Sequence, residues 1–170
     1  TGQGASTTDT LVSQALENTA VHLLNSSHNN EGRILVDVVN IKFLEELDGS
    51  IAFDFTEVVD QIPFYEAFFK KRGVEPTNVK LAYAPNDAQE PYVLAGDIIG
   101  IDTADTEVKD GGYYAVYFEG ELMLMRIFKK QGGILVLSNT NPLYKDRDKT
   151  VDISNSKGFK VIGRQFWRAG

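Results

Sequence analysis

The chain has 170 residues, 42% of them hydrophobic, with 10 Phe, 7 Tyr and one Trp. That is enough to bury one domain-sized core and excludes a wholly disordered chain. It has no Cys, which excludes disulfide staples, thiolate catalysis and Cys-based zinc sites, and its net charge of −7 makes it a poor candidate for gripping DNA phosphates by itself. No apolar run approaches the ~20 residues of a membrane span. The opening TGQGASTTDT has neither the basic nor the apolar region of a signal peptide, so the expectation is a cytoplasmic protein with no membrane partner. His22 and His28 have no obvious third ligand, and no metal or other cofactor is expected.

Residues 1–30 contain no Lys or Arg, two acids (Asp9 and Glu17) and fifteen Ser, Thr, Asn or Gln. Leu11, Ala15, Leu16, Ala20 and Leu23 recur at spacings that share one helical face, which predicts an amphipathic helix near 8–26 inside a linker spanning 1–32. Thr8 or Asp9 suits its start, and Asn25-Ser26-Ser27 ends it. From residue 33 the pattern turns to strands. Ile34 to Val39 is short and β-branched, and a looser stretch over 45–62 carries Phe53, Phe55, Val58 and Val59. Pro63 is expected to open a helix ending at Arg72, with Lys70-Lys71-Arg72 in its last turn and Gly73 as C-cap. Strands follow at 79–83 and 98–101. Then comes a hairpin, 113–118 and 122–128, turning on Glu119-Gly120. Gln131-Gly132-Gly133 leads into 134–137, and the last strand runs from Phe159 to Trp167. Many short strands with few helices predict a mainly β fold, a sandwich or a partly open barrel.

Single motifs are thin. There is no Walker loop, GxGxxG or HExxH. Asp102, Asp105, Glu107 and Asp110 miss EF-hand spacing and read as solvated turn acids. Glu119 and Glu121 flank a hairpin Gly and read the same way. The order of elements says more. Asn86-Asp87-Ala88-Gln89-Glu90-Pro91 is followed by Gly96-Asp97-Ile98-Ile99-Gly100-Ile101-Asp102, by Asp110-Gly111-Gly112-Tyr113-Tyr114-Ala115-Val116 and by Gly120-Glu121-Leu122. Asn141-Pro142-Leu143-Tyr144 and Val161-Ile162-Gly163-Arg164 close the series. Over about residues 50–168 this succession resembles the C-terminal domain of LexA-like and phage repressors, the S24 peptidase-like fold. The family pattern runs roughly G-D-S-M-x-P, G-D-x-V-x-V-D, D-G-x-Y-x-V, G-E-x-x-V-K-R, then S-x-N-P-x-Y and V-I-G-R-V.

The resemblance implies a LexA/signal-peptidase-like domain at 33–170 that oligomerises, preceded by a linker helix. Thr1-Gly2-Gln3-Gly4 resembles the ending of a helix-turn-helix half in phage repressors, so a DNA-binding domain before Thr1 is expected. In active members a Ser is the nucleophile and a neutral Lys removes its proton. The motifs put Ala88 where that Ser belongs and Met125 where the Lys belongs, so the catalytic dyad is expected to be vacated. An engineered Ser→Ala replacement is an alternative origin for Ala88 and leaves Met125 unexplained. The family cuts itself at Ala-Gly or Cys-Gly upstream of the nucleophile. Here Ala-Gly occurs only downstream, at Ala95-Gly96 and Ala169-Gly170.

The function expected is the dimerisation and regulatory domain of a prophage-type transcriptional repressor that does not cleave itself. Operator DNA would be held only through the missing helix-turn-helix domain, and an antirepressor protein is a candidate partner. Two alternatives stay open: a serine–lysine self-cleaving peptidase inactivated by engineering, and a stand-alone partner-binding β-domain. A two-fold homodimer, with higher oligomers left open, is expected because operators are pseudo-palindromic. Its interface is expected on the C-terminal strand. Simple alternation puts Phe159, Val161 and Trp167 on one face and Ile162 and Phe166 on the other, and a terminal strand at a sheet edge invites pairing.

Overall fold

The computed structural model describes residues 32–170, together with Ser13, Gln14 and Leu16. Those three are helical; the rest of the expected 8–26 helix lies outside the described residues. Eleven strands follow: β1 (Arg33–Val39), β2 (Lys42–Glu45), β3 (Ile51–Asp54), β4 (Val58–Tyr65), β5 (Val79–Tyr83), β6 (Ile98–Asp102), β7 (Gly112–Phe118), β8 (Glu121–Lys130), β9 (Ile134–Ser138), β10 (Lys149–Asp152) and β11 (Phe159–Ala169). Helix α1 (Glu66–Arg72) separates β4 from β5. Nine strands form one sheet in the order β10-β9-β8-β7-β11-β6-β5-β1-β4, and β2-β3 form a separate hairpin. The sheet is not closed; β10 and β4 are its edges. The fold is mainly β, as the short-strand pattern predicted.

The β7–β8 hairpin turns where expected. Glu119 (φ 47°) and Gly120 (φ 89°) both take positive φ, which matches the right-handed twist of the flanking strands. Further upstream the structure differs from the sequence expectation. The loose stretch 45–62 holds the last residue of β2, all of β3 and the first part of β4, and α1 begins at Glu66 rather than Pro63. Pro63 lies in an edge strand, where a missing N–H is tolerated. That extended segment lets Phe64 pack on Phe68, Phe69 and Trp167 with ring centroids 5.3, 5.4 and 4.9 Å away. The same edge is blunted against strand addition, because the Gln61 N–H donates to Asp60 Oδ1 at 2.8 Å. Gly73 ends α1 in the left-handed region (φ 65°), its N–H bonded to Lys70 and the Val74 N–H to Phe69.

Three apolar clusters hold the sheet. Ile99, Ile101, Ala115, Leu124 and Ile162 form one, with Phe53 and Phe55 from the β3 region packed against it. Tyr114, Val116, Met125, Ile127 and Leu137 form a second on the opposite side of β7 and β8. Val36, Val38, Phe69 and Leu81 form a third beneath α1.

The C-terminal strand corrects two expectations. It is not an edge: β11 pairs with β7 through Phe159–Arg164 and with β6 through Arg164–Ala169. Nor does it alternate simply, because bulges between Val161 and Gly163 and between Gln165 and Trp167 break the period of two. Phe166 and Trp167, expected on opposite faces, therefore pack against the same α1 cluster. Phe159 and Val161 pack on the Tyr114 cluster. Ile162, 3% exposed, has almost no surface left for a partner. Phe159, Val161, Phe166 and Trp167 remain half-buried.

Candidate functional site

The 86–91 loop is bonded to the 139–148 segment. The Asn141 N–H donates to the Ala88 carbonyl at 3.0 Å and its Nδ2 to the Asp87 carbonyl at 2.9 Å. The Tyr144 hydroxyl donates to Asp87 Oδ2 at 3.1 Å. That bond, with the adjacent Asp87 charge, holds the Tyr144 phenol above its ordinary pKa. Asp148 anchors the segment in turn, accepting from the Asn139 N–H (2.8 Å), Asn139 Nδ2 (3.1 Å) and Ser138 Oγ (3.2 Å). Two motifs some fifty residues apart in the chain, Asn86–Pro91 and Asn141–Tyr144, thus form one structural unit.

Gln89 fastens this unit to the sheet. It is 2% exposed and uses its whole amide. Nε2 donates to the carbonyls of Leu124 (3.0 Å) and Ser138 (3.1 Å). Oε1 accepts from the N–H (3.2 Å) and hydroxyl (2.8 Å) of Thr140. Tyr113 extends the network, its hydroxyl 3.1 Å from Thr140 Oγ1.

Between the loop and β8 lies a cleft of about 420 Å³. Ala88 lines one wall and Met125 the other, so the structure brings together the two positions singled out in the sequence. Met125 is buried within the Tyr114 cluster, and its sulfur is 3.8 Å from Gln89 Nε2. Asp87, Glu121, Arg147 and Lys149 supply the charge around the cleft. The Arg147 guanidinium lies over the Tyr144 ring and the Lys149 ammonium over Phe118. Among the described residues lining the cleft there is no serine, threonine, cysteine or histidine.

The β8 wall has an open backbone edge. β9 pairs with β8 only from Arg126 onward, so residues 121–125 have β7 on one side and the cleft on the other. The Leu124 carbonyl points into the cleft to meet Gln89. Leu122, two residues back, points the same way. An extended segment entering the cleft can pair with this edge. A smaller apolar cavity of about 190 Å³, lined by Val39, Ile41, Ala82 and Ile99, adjoins it and shares Leu122, Met123 and Leu124.

Sequence reasoning located Ala88 and Met125 through motif order. It missed Gln89, Asn139 and Asp148 as structural clamps, since each acts on partners that only the fold brings near. The turn acids Asp102, Asp105, Glu107 and Asp110 do not line this cleft, and no metal-holding group of three ligands occurs among the described residues. No helix among them is long and apolar enough to cross a membrane.

Comparison with known proteins agrees with this architecture. A family model described as Peptidase S24-like matches residues 48–166. The HTH-type transcriptional regulator PrtR of Pseudomonas aeruginosa is 28% identical over 136 residues, covering 77% of this chain and 53% of its own length. Repressor protein CI of Enterobacteria phage phi80 is 24% identical over 138 residues, covering 77% of this chain and 56% of its own. The chain spans about half the length of these curated relatives. A family match across most of the chain, on a fold that brings three of the motifs (Asn86–Pro91, Gly120–Leu122 and Asn141–Tyr144) to one cleft, makes this chain a member of the Peptidase S24-like family.

Proposed function

We propose that this chain is the regulatory and oligomerisation domain of a cytoplasmic, prophage-type transcriptional repressor, and that it does not cleave itself. The observation that carries this reading is a cleft walled by Ala88 and Met125 in which, among the described residues, no serine, threonine or cysteine lines the wall. Acyl transfer needs a hydroxyl or thiol and a base to activate it; an alanine methyl and a thioether supply neither. The two relatives are named as a transcriptional regulator and a repressor, and both are about twice as long as the matched region. Operator DNA would be contacted by a separate helix-turn-helix part, which suits the acidity of this one.

Incubation at alkaline pH followed by mass measurement tests the absence of cleavage, since high pH favours a neutral lysine base in any active member. The intact mass is expected throughout. Ala88→Ser with Met125→Lys is expected to restore at most slow cleavage, because no Ala-Gly precedes residue 88. Robust cleavage of the unsubstituted chain before residue 88 would overturn the reading.

The repressor reading also requires a two-fold dimer, which holds two weak DNA-binding heads at high effective concentration. The half-buried surfaces of Phe159, Val161, Phe166 and Trp167 support an interface that includes the face of β11. Sedimentation is expected to show a dimer that dissociates on dilution. Phe166→Gln is expected to shift it toward monomer and, because Phe166 also packs on the α1 cluster, to lower the melting point while keeping one cooperative transition. A chain that stays monomeric throughout the micromolar range rules the dimer out. Since the site has no self-cleavage chemistry, release from DNA falls to a second protein, and an antirepressor is the partner class proposed.

A further inference from the structure

We propose that a second cavity, between the end of α1, the 102–112 loop and β11, binds a small oxyanion, a phosphate ester or a carboxylate. The cavity measures about 570 Å³, within the usual range for small-molecule sites, and shares no lining residue with the Ala88–Met125 cleft. Arg72, Lys109 and Arg164 face it, against the two carboxylates of Asp102 and Asp105. In a chain of net charge −7 this is a local reversal of sign.

The cations have donors to spare. Arg164 comes no nearer than 3.7 Å to Asp105 Oδ2, too long for a hydrogen bond. Among the described residues no other acceptor meets its guanidinium, and none meets Lys109 Nζ. Arg72 spends one N–H on the Phe166 carbonyl at 3.3 Å and rests on the Phe68 ring, which fixes its direction and leaves the remaining N–H groups unused. A planar fork beside an ammonium is the donor set that oxyanions take.

The aromatic wall narrows the ligand class. Tyr92 and Tyr113 stack at 4.0 Å, Arg168 covers Tyr92 and Arg126 covers Tyr113. Each ring has one face against the other and a guanidinium over it at 5.7 or 5.5 Å, so a base would have to displace an arginine to stack there. The Tyr92 hydroxyl is committed to Gln165 Oε1 at 2.9 Å, and Gln165 Nε2 to the Trp167 carbonyl at 2.9 Å. The wall is pre-organised, and recognition falls to the charged donors.

Calorimetric titration of the whole chain with inorganic phosphate, citrate and AMP, at constant ionic strength, tests this. Saturable binding of phosphate or citrate is expected, and the tighter of the two identifies the oxyanion. Arg164→Gln and Lys109→Gln should each weaken it about tenfold, the loss expected for one hydrogen bond between charged groups. Lys149→Gln, on the other cleft, should leave it unchanged. AMP should bind no tighter than phosphate, since its base would have to displace an arginine to stack. Absence of saturable binding, or equal weakening by Lys149→Gln, overturns the site; AMP binding tenfold tighter than phosphate overturns the ligand class.

Discussion

Replacing Gly163 with alanine is expected to destabilise the fold by about 3 kcal/mol or more, the upper range for forcing atoms into a packed interior. Gly163 stands at the first bulge of β11, where the strand passes from β7 to β6. A Cβ there would overlap the backbone carbonyl of Asp102 and crowd the Ile101 side chain. A backbone group cannot swing aside as a side-chain tip can, so β11 and β6 would have to part. That separation would disturb two pairings at once, Gly163 with Ala115 and Arg164 with Asp102. Gly158→Ala is the comparison, since nothing lies within 4 Å of its Cβ and only its positive φ of 79° is penalised, at about 1 kcal/mol. Urea melts of the two variants should differ in midpoint at similar slope. Equal midpoints would mean that the strands do not approach as closely as the structure places them.

The sequence carried this glycine inside Val161-Ile162-Gly163-Arg164, but without the reason for it. Elements whose pattern is local were legible: β5, β6 and the β7–β8 hairpin fall where alternation and turn residues put them. Pro63 misled the start of α1 because proline suits both the first helical turn and a blunted edge strand, and only the packing of Phe64 decides between them. The β2–β3 hairpin hid in a stretch whose acids obscured its alternation. Phe43 there rests on Tyr117, and Lys160 donates to the Ile51 carbonyl, contacts with residues far along the chain. The two bulges in β11 defeat any assignment of faces by counting, and the strand's central place depends on pairings with β6 and β7. At the cleft, motif order brought out Ala88 and Met125 but not the clamp between them. Gln89 looks like one more polar loop residue until Leu124, Ser138 and Thr140, 35 to 51 positions away, close around it.

Gln89→Leu is expected to cost about 4 kcal/mol and to loosen the cleft in particular. The substitution keeps a side chain of similar bulk and removes every hydrogen bond of the amide. It leaves the Leu124 and Ser138 carbonyls and the Thr140 N–H without their partner in a buried site. Each such group costs about 1–3 kcal/mol, and partial relaxation makes the sum less than additive. The transition should fall by roughly 2–4 °C per kcal/mol for a chain of this size. Gln89→Glu separates hydrogen bonding from packing. As a carboxylate it would set negative charge against two carbonyl oxygens, so burial and repulsion raise its folded pKa above the unfolded value. The sign follows from linkage: the folded state then binds the extra proton, so stability is greatest below the unfolded pKa and falls as pH rises toward the folded one. Gln89→Glu should therefore be the less stable of the two at neutral pH and recover in mild acid, where the protonated group can again donate to one carbonyl. Gln89→Leu should show no such additional recovery. Thermal melts of both variants and the parent chain from acid to neutral pH measure this. A Gln89→Glu variant whose melting point tracks the parent's across that range would mean that Gln89 does not donate to the Leu124 and Ser138 carbonyls.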